Sequence, residues 1–253
     1  MTTTLEVIFA PAEVAALPAR NLGDTVCVVF DIFRATSTIV TALANGAAEI
    51  IPVAEIPEAI ALRRQSPDVL LAGERDGFRI RADLTGGIDF DLGNSPREFT
   101  PAKIKGRTIV LSTTNGSRAL RACAHAKTVI VGSFLNLGAT AQYLQQQSAT
   151  HLLFVCSGTH DQASYEDVLG AGALADLLWP RFSAGEVSDS ARIAQQIYQL
   201  NQGNLAAAVE HCRNGRRLSS IAELRDDIGW CLQRDVFPLV AKLEGKSIIK
   251  LTS

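Results

Sequence analysis

Short, almost wholly apolar runs alternate with longer helix-like stretches through the first two-thirds of the chain. The runs rich in β-forming residues lie at 4–9, 25–30, 49–53, 69–73, 107–112, 128–132 and 151–156. The helix-like stretches between them lie at 36–45, 55–65, 116–124, 138–147 and 165–178. Strands that are apolar throughout are typical of a sheet covered on both faces, and strands that alternate with helices indicate βαβ units. We therefore predict a three-layer α/β/α fold with a mostly parallel or mixed sheet.

The last third of the chain has a different pattern of predicted secondary structure. Consecutive helices are indicated at 188–201, 204–213 and 219–233. We predict a helical portion at about 185–235 that forms a cap or an oligomer surface, followed by a closing β-hairpin around Glu244-Gly245. Because no linker rich in Pro, Gly or Ser divides the chain, residues 1–253 are expected to form a single domain. The apolar helical third is compatible with a homodimer.

The charge balance of the chain argues against partners that need a strongly basic surface. There are 24 Lys and Arg residues against 26 Asp and Glu residues, a formal net charge of −2. We therefore expect neither a nucleic acid nor a membrane among the partners. The N-terminal segment lacks the basic region of a signal peptide, and no apolar run approaches the roughly 20 residues that span a bilayer. Five cysteines without a close pair suit a reducing compartment, so a cytoplasmic location is expected.

Three polar, hydroxyl-rich turns each follow an apolar strand and precede a helix. They lie at 31–38, 112–118 and 156–161. In open α/β sheets, ligands bind outside the carboxyl ends of the strands. We therefore expect these three turns to lie at one edge of the sheet and to form a site together.

The turn DIFRATST carries the sharpest chemical signal. Asp31 directly follows a strand, where a carboxylate can hold a divalent cation or act as a nucleophile or base. Arg34 offers a fork of donors that matches phosphate or carboxylate oxygens. Thr36 and Ser37 stand where a helix begins, and free amides there favour an anion. The alternative is structural, with Thr36 or Ser37 as the helix cap and Arg34 as a partner for Asp31.

The turn STTNGSR repeats this arrangement after a second strand. Asn115-Gly116 is a turn signal, and Thr113 and Thr114 supply hydroxyl groups before a helix. The alternative is an ordinary capped turn. The chain lacks the pattern GxxxxGK[ST], which excludes a P-loop, and it lacks GxGxxG, which weakens the case for a dinucleotide site.

Two polar segments, GERDG and DLGNSPR, lie on a long connection between strands. Long loops in compact domains are usually functional or disordered. The candidates for contact with a bound anion or metal are Glu74, Arg75, Asn94, Ser95 and Arg97, and a solvated loop is the alternative. The stretch between the two segments, 78–90, is expected to be a tip or a lid.

The segment CSGTHDQASYEDVLGAG holds a third cluster of polar residues. Glu166 and Asp167 open a helix, where acidic side chains also occur simply because they favour the N-terminal dipole. Cys156 has no histidine at a diagnostic spacing that would make it a nucleophile, and His160 is typical of an ordinary loop residue. The basic stretch HCRNGRRL at 211–218 is expected to be a solvated helix end. The histidines form no zinc signature.

Seven motifs in a fixed order resemble those of the 2-phosphosulfolactate phosphatase family. They are VVFDIFRATST, LAGERDG, FDLGNSPREF, TIVLSTTNGSRAL, VGSFLN, YEDVLGAG and CLQRDVFPLV. The likeness spans residues 5 to about 250, and the order of the motifs is far more specific than any one of them. It implies a three-layer α/β fold and a magnesium-dependent phosphomonoesterase. The family's named reaction is the hydrolysis of (2R)-2-phospho-3-sulfolactate to 3-sulfolactate and phosphate, a step toward coenzyme M.

The matching positions lead to expectations for individual residues. The expected catalytic groups are Asp31, Arg34, Glu74 and Asp167. The expected candidates for Mg²⁺ ligands are Asp31, Glu74, Glu166 and Asp167. The expected residues for binding the small anionic phosphorylated substrate are Thr36, Ser37, Arg75, Asn94, Ser95, Thr113, Thr114, Asn115 and Gly116. In this scheme Arg34 clamps the phosphate or the sulfonate, and the turn amides near Asn115 cradle oxygens that gain charge.

Two features depart from the family's pattern, and the chemical route has alternatives. The chain is longer through RADLTGG, and it carries His160 and Asp161 in the third turn, which bears on substrate identity. Either a metal-activated water attacks phosphorus, or Asp31 attacks and forms an aspartyl-phosphate. The absence of a DxDx[TV] signature favours the water. The alternative functions are a phosphatase for another small phosphorylated hydroxy-acid and a non-catalytic anion-binding protein.

Overall fold

The computed structural model describes residues 4–148, 150–182 and 186–251. The strands are β1 Thr4–Ile8, β2 Thr25–Phe30, β3 Glu49–Val53, β4 Leu70–Arg75, β5 Phe78–Arg79, β6 Thr108–Ser112, β7 Thr128–Gly132, β8 His151–Cys156, β9 Glu186–Val187, β10 Ala241–Glu244 and β11 Ser247–Lys250. The α-helices are α1 Pro11–Ala16, α2 Ala35–Ala44, α3 Ile56–Gln65, α4 Ala82–Thr85, α5 Pro101–Ile104, α6 Gly116–Ala122, α7 Leu137–Gln146, α8 Tyr165–Leu178, α9 Asp189–Asn201, α10 Leu205–Glu210, α11 Arg213–Ser220 and α12 Arg225–Cys231.

The strands form one mixed sheet in the order β5-β4-β6-β3-β11-β10-β7-β2-β8-β1-β9. Strands β7, β2, β8, β1 and β9 pair in parallel, and so do β4, β6 and β3. The hairpin of β10 and β11 lies between these two parallel blocks and pairs antiparallel with β7 on one side and with β3 on the other. The predicted closing hairpin is therefore present, and it lies in the middle of the sheet.

The two parallel blocks run in opposite directions, because three successive antiparallel pairings separate β7 from β3. The polar turns therefore come from two blocks and not, as expected, from one edge of a single parallel run of strands. Strands β2 and β6 are five steps apart in the sheet, and a twist of roughly 20–25° per step accumulates to about 100–125°. This twist allows the carboxyl ends of β2 and β6 to approach each other.

Helices cover both faces of the sheet. Along β2, Cys27 and Val29 pack into the hydrophobic cluster that includes α1, α2 and α6, whereas Val26, Val28 and Phe30 pack into the cluster that includes α7, α8 and α9. Helix α3 packs with β4 and β6 into a third, smaller cluster. Alternate side chains of one strand thus enter two different cores, which explains why the strand is apolar throughout. The three-layer α/β/α prediction is confirmed.

The strands and helices predicted for the first two-thirds are present within two residues of their expected bounds. Helix α1 was not predicted. In the last third, the single helix expected at 219–233 is wrong, because α11 ends at Ser220 and α12 begins at Arg225. Ile221 adopts an extended conformation, with φ −108° and ψ 114°, and so interrupts the helix. α11 and α12 are therefore separate helices, and residues of both reach the site described below.

The helical portion expected at about 185–235 contains α9 to α12 and also β9, which pairs with β1. Across the ranges that the structure describes, none of the helices combines the length and the hydropathy needed to cross a membrane.

Candidate active site

The turn after β2 places the carboxyl group of Asp31 at the end of the strand. Its Oδ1 accepts a hydrogen bond from the amide of Ala35 at 3.2 Å, and its amide donates to Oγ1 of Thr36 at 3.1 Å. The amide of Thr36 donates to the carbonyl oxygen of Asp31 at 2.9 Å. Asp31 therefore accepts hydrogen bonds from the first amides of α2. The sequence suggested this capping role for Thr36 or Ser37. Those amides are not free for an anion.

Helix α6 meets this turn at Gly116. A Cβ atom there would lie 2.7 Å from Oδ2 of Asp31 and 2.6 Å from the Cβ of Ala35, so only glycine fits. The start of α6 is held by Thr113 and Ser117, whose amides donate to each other's hydroxyl oxygens at 3.1 and 3.0 Å. The turns after β2 and β6 are therefore in direct contact, as the sequence predicts.

Glu74, in β4, connects the turn between β4 and β5 with the turn after β6. Its Oε1 accepts from the amide and the hydroxyl of Thr114 at 2.9 and 3.0 Å, and its Oε2 accepts from the amide of Gly77 at 2.7 Å. Gly73 has a φ of 148°, and any side chain there would collide with the carbonyl oxygen of Ser112. The close backbone contact at Gly73 is what lets Glu74 reach the neighbouring turn.

Asp167, in the first turn of α8, joins the turns after β2 and β8. Its Oδ1 accepts from the amide of Ile32 at 2.8 Å, and its Oδ2 accepts from the hydroxyl of Ser157 and the amide of Gly158, both at 3.2 Å. The acidic start of α8 is thus more than a complement to the helix dipole. Asp167 ties two of the three predicted turns together.

Glu166, the preceding residue, points toward the C-terminal helices. Its carboxylate accepts from Nδ2 of Asn214 and, at 3.4 Å, from Sγ of Cys212. Burial is the main cause that raises the pKa of Glu166 above its ordinary value. This carboxyl group therefore connects α8 with α11 rather than facing open solvent.

The carboxyl groups of this region repel one another. Burial raises the pKa of Asp31 to about 6, and the charges of Glu74 and Glu166 add to the shift. Burial also raises the pKa of Asp167 well above its ordinary value, with further contributions from Glu166 and Asp31. Carboxylates placed so close cannot all stay ionised without a proton or a cation among them. The cluster is therefore suited to a positively charged ligand.

A small cleft opens beside Asp31, with a cavity volume of about 80 Å³. This volume holds several water molecules or one small anionic group. The lining residues predicted from the sequence are Asp31, Arg34, Glu74, Asn94, Thr114 and Asn115. The other lining residues are Phe33, Asp76, Gly77, Thr159, His160, Asn214, Arg217 and Leu218.

The remaining residues predicted for the site do not line this cleft. They are Thr36, Ser37, Arg75, Ser95, Thr113, Gly116, Glu166 and Asp167. The hydroxyl of Ser37 donates to the carbonyl oxygen of Ile32 at 3.0 Å, and Arg75 donates to the carbonyl oxygens of Ala54 and Ser112, both at 3.2 Å. In this structure such residues shape the turns that carry the lining residues.

Arg34 pairs with Asp227 of α12, and not with Asp31. Its Nη1 donates to Oδ2 of Asp227 at 2.8 Å. Asp227 is fully buried and also accepts from the hydroxyl of Ser95 at 2.6 Å and from Nε of Arg97 at 2.9 Å. Nothing in the sequence marks Asp227, because an acidic residue in a stretch of mixed charge is typical of a solvated helix. Only its three donors show that it belongs to the site.

Helix α11 forms one wall of the cleft through Asn214, Arg217 and Leu218. The expectation of a solvated helix end at 211–218 is therefore wrong. Gly215 allows the helix to pack directly against the carbonyl oxygen of Val209, where a side chain would collide. A short helix rich in arginine gives no local signal of this role, because its burial depends on packing against distant turns.

The cleft contains side-chain oxygen atoms that could act as ligands of a divalent cation. Asn94 is buried, and its Oδ1 has no hydrogen-bond partner in the described part of the chain. Asp31 and Glu74 line the same cleft. Mg²⁺ usually takes one or two carboxylates and completes its shell with waters and phosphate oxygens. Among the described residues no three His, Cys, Asp or Glu side chains form a metal cage, so two carboxylates and Asn94 are the fitting set.

The fold and the cleft together define an α/β protein with a carboxylate- and arginine-lined site at its strand ends. The family profile described as 2-phosphosulpholactate phosphatase matches residues 12–246. A "Probable 2-phosphosulfolactate phosphatase" of Caldanaerobacter subterraneus is 40% identical over 227 residues, which is 89% of this chain and 90% of the relative. A protein of the same name from Thermotoga petrophila is 37% identical over 94% of this chain and 98% of its own length. The chain belongs to the 2-phosphosulfolactate phosphatase family, a family of phosphoric monoester hydrolases.

A third relative covers almost the whole of both chains. The "Probable 2-phosphosulfolactate phosphatase" of Carboxydothermus hydrogenoformans is 35% identical over 249 residues, 97% of each chain. The resemblance and the class of enzyme predicted from the ordered motifs are therefore confirmed.

Proposed function

We propose that this chain is a magnesium-dependent phosphatase that hydrolyses (2R)-2-phospho-3-sulfolactate to 3-sulfolactate and phosphate. The observation that carries the proposal is the arrangement of Asp31, Glu74 and Arg34 around one small cleft, in a member of a family named for this reaction. The carboxylates suit a hard cation, and the guanidinium suits phosphoryl oxygens. Because the chain has a net charge of −2, these local groups must supply the positive field for a strongly anionic substrate.

Arg34 binds the phosphoryl group in this proposal. A guanidinium has five N–H donors, and in Arg34 one donates to Asp227 and one to the carbonyl oxygen of Gly77 at 2.7 Å. The donors that remain are available to phosphoryl oxygens, and the pair with Asp227 keeps the group in one orientation. Preorganised donors of this kind stabilise the charge that develops during phosphoryl transfer. Asn115, on the other wall, offers a further amide group.

Asp31 is the group closest to the chemistry. Its carboxylate stands at the end of β2 in the wall of the cleft, where it can take a proton from an attacking water. The water oxygen then forms a bond to phosphorus, the ester P–O bond breaks, and a proton passes to the leaving hydroxyl oxygen of sulfolactate. The alternative is attack by Asp31 itself, which forms an aspartyl-phosphate. The chain lacks the DxDx[TV] signature of the common enzymes that use that route, so we favour the water.

Asp31, Glu74 and Oδ1 of Asn94 are the groups that would hold Mg²⁺. When bound, the ion supplies positive charge at the phosphoryl oxygens. Glu166 and Asp167, also expected as ligands, do not line the cleft. We propose that Asp167 acts by positioning the turns after β2 and β8.

A phosphate-release assay tests this function. The purified chain is incubated with 2-phosphosulfolactate and with a panel of phosphorylated hydroxy-acids, with Mg²⁺ and with EDTA. We expect release with Mg²⁺ only, and the highest kcat/KM for 2-phosphosulfolactate. Release from another panel member alone would keep the chemistry and change the substrate. No release from any ester, together with tight binding of inorganic phosphate, would favour the non-catalytic anion-binding protein.

The cytoplasmic location and the homodimer stay predictions. Size-exclusion chromatography with light scattering of the purified chain tests the homodimer directly.

A further inference from the structure

The cleft contains a second arginine besides Arg34. Arg217 of α11 lines the cleft together with Asp76 and Gly77 of the turn between β4 and β5. Its Nη2 donates to the carbonyl oxygen of Asp76 in that turn, and it lies 3.8 Å from Oδ1 of the same residue. Arg217 therefore connects α11 with the β4–β5 turn at the cleft.

The partner of Arg217 is a weak one. The side chain of Asp76 is 79% exposed, whereas that of Arg217 is 37% exposed. Ion pairs with a solvated carboxylate at such a distance contribute little to stability. An anionic group of a ligand inside the cleft would be less solvated and could replace the Asp76 carboxylate.

Both cleft arginines approach the same residue, Gly77. Arg34 donates to its carbonyl oxygen at 2.7 Å, and Nε of Arg217 lies 3.6 Å from the position that a Cβ atom of Gly77 would take. Arg34 is held by the fully buried carboxylate of Asp227, which also pairs with Arg97. Among the described residues, the only ion pair of Arg217 is the one with the exposed carboxylate of Asp76. Because Arg34 is already assigned to the phosphoryl group, Arg217 is the cleft arginine that remains for a second anion.

We propose that Arg217 binds the acidic group of the substrate that is not transferred, a carboxylate or a sulfonate. The inference rests on the proposed function, which supplies an ester with such a group. Arg34 binds the phosphoryl oxygens. Arg217 selects esters whose alcohol part carries a further acidic group. Asp76 occupies Arg217 until the substrate enters.

Three variants and three esters test the proposal. The variants are Arg217→Ala, Asp76→Asn and, as a matched control, Arg216→Ala, whose side chain is exposed on the same helix and outside the cleft. The esters are 2-phosphosulfolactate, 2-phospholactate, which lacks the sulfonate, and phenyl phosphate, which has no second acidic group. KM and kcat are measured for each pair, with thermal unfolding of every variant.

Arg217→Ala is expected to raise KM for 2-phosphosulfolactate about 10- to 100-fold, the loss of one charge-assisted hydrogen bond. The loss in kcat/KM should be at least tenfold smaller with phenyl phosphate. A matching loss with 2-phospholactate assigns Arg217 to the carboxylate, and no comparable loss assigns it to the sulfonate. Arg216→Ala should leave all three esters unchanged. Equal losses of kcat/KM for all three esters in Arg217→Ala would overturn the proposal.

Asp76→Asn separates the proposal from a purely structural clasp. The variant removes the competing charge and keeps the backbone hydrogen bond to Arg217, so KM for 2-phosphosulfolactate should fall by up to about fivefold. If Arg217 only held the β4–β5 turn, loss of this weak ion pair would leave KM unchanged or raise it slightly, and either result would overturn the proposal.

A failure of the proposed function would be visible separately. A wild-type chain that releases no phosphate from 2-phosphosulfolactate contradicts the proposed function and leaves Arg217 to be tested by calorimetric titration. In that titration 3-sulfolactate should bind the wild-type chain and Arg216→Ala at least tenfold more tightly than Arg217→Ala, and lactate should show the same difference only if Arg217 binds the carboxylate. Equal affinities for 3-sulfolactate, or no binding of 3-sulfolactate to the wild type, would overturn the inference about Arg217.

Discussion

Arg34 and Asp227 form an ion pair with 2.8 Å between Nη1 and Oδ2, and both side chains are almost wholly buried. The pair joins the turn after β2 to α12, which are 193 residues apart in sequence. A buried charge is costly unless it is paired and its remaining hydrogen bonds are made. Asp227 therefore makes it possible for a guanidinium to stand in the wall of the cleft, and it binds the C-terminal helices to the site.

Asp227→Asn should lose both stability and activity. It keeps the shape and an oxygen acceptor but leaves the charges of Arg34 and Arg97 without their buried partner. We expect the free energy of unfolding to fall by about 3 kcal/mol and kcat/KM to fall at least tenfold, as measured by urea unfolding and phosphate release. The control is Asp226→Asn, since the neighbouring Asp226 is exposed and pairs with Arg97 at 3.3 Å. Equal effects of the two variants would contradict the role of Asp227.

Asp31→Asn should abolish turnover and preserve the fold. The amide oxygen can still accept from Ala35, and burial already disfavours the charged form of Asp31, so stability should change by less than about 1 kcal/mol. Phosphate release should drop by a factor on the order of 10³ or more, because proton transfer and metal binding are both lost. An active Asp31→Asn chain would exclude Asp31 from either chemical route.

The wild-type chain can show whether water or Asp31 attacks phosphorus. After rapid quenching in acid, mass spectrometry should find no phosphate on Asp31 if water attacks phosphorus directly. A trapped phosphorylated Asp31 would instead establish the aspartyl-phosphate intermediate.

Gly116→Ala should damage the site more than the fold. The new methyl group would lie 2.6 Å from the Cβ of Ala35 and 2.7 Å from Oδ2 of Asp31, so one of the two turns must move. We expect a loss of about 1–3 kcal/mol in the free energy of unfolding and a larger loss in kcat, as Asp31 is displaced. Gly229→Ala in α12 is the control, because nothing lies within 4 Å of its Cβ position. It should stabilise the chain by about 0.5–1 kcal/mol.

Glu6 should contribute stability that depends on pH. Hydrogen bonds from His151 and Arg20 lower the pKa of Glu6 from 4.5 to about 2. A carboxyl group with a lowered pKa stabilises the fold fully above its unfolded value and loses this effect as pH falls from about 4.5 toward 2. Because the pair with Arg20 is partly exposed, Glu6→Gln should cost less than about 1 kcal/mol at pH 7.

The comparison for Glu6 is the exposed Glu210→Gln. Thermal unfolding of both variants and of the wild type at pH 7, 5, 4 and 3 should show a difference for Glu6→Gln that shrinks as the pH falls. A difference that is constant over this range would mean that Glu6 acts through packing and not through its charge.

Much of the fold could be predicted because its signals are local. Strands that are apolar throughout and helices of 10–15 residues follow from the pattern of neighbouring side chains. The position of the hairpin of β10 and β11 between two oppositely directed parallel blocks could not be predicted. Strand order depends on which apolar surfaces cover each other across the whole molecule, and no local pattern encodes it.

The candidate site shows the same division. Asp31, Glu74, Asn94 and Thr114 could be named in advance because each lies in a turn with an unusual density of polar residues. Arg217 and Asp227 could not, because their own segments have the composition of solvated helices. The lid or tip expected at 78–90 is partly packed, with Ile80 and Phe90 in the third hydrophobic cluster.

By itself, the amino-acid sequence determined the alternation of strands and helices, the polar turns at the strand ends, and membership of the family through motifs in a fixed order. The tertiary structure alone decided that Asp227 pairs with Arg34 and that Arg217 contacts Asp76. It also decided that Glu166 and Asp167 accept hydrogen bonds from groups of the protein. The physical reason is the distance along the chain over which each interaction acts. Periodicity and turn chemistry act over a few residues, whereas buried ion pairs form only after the packed cores have brought distant segments together.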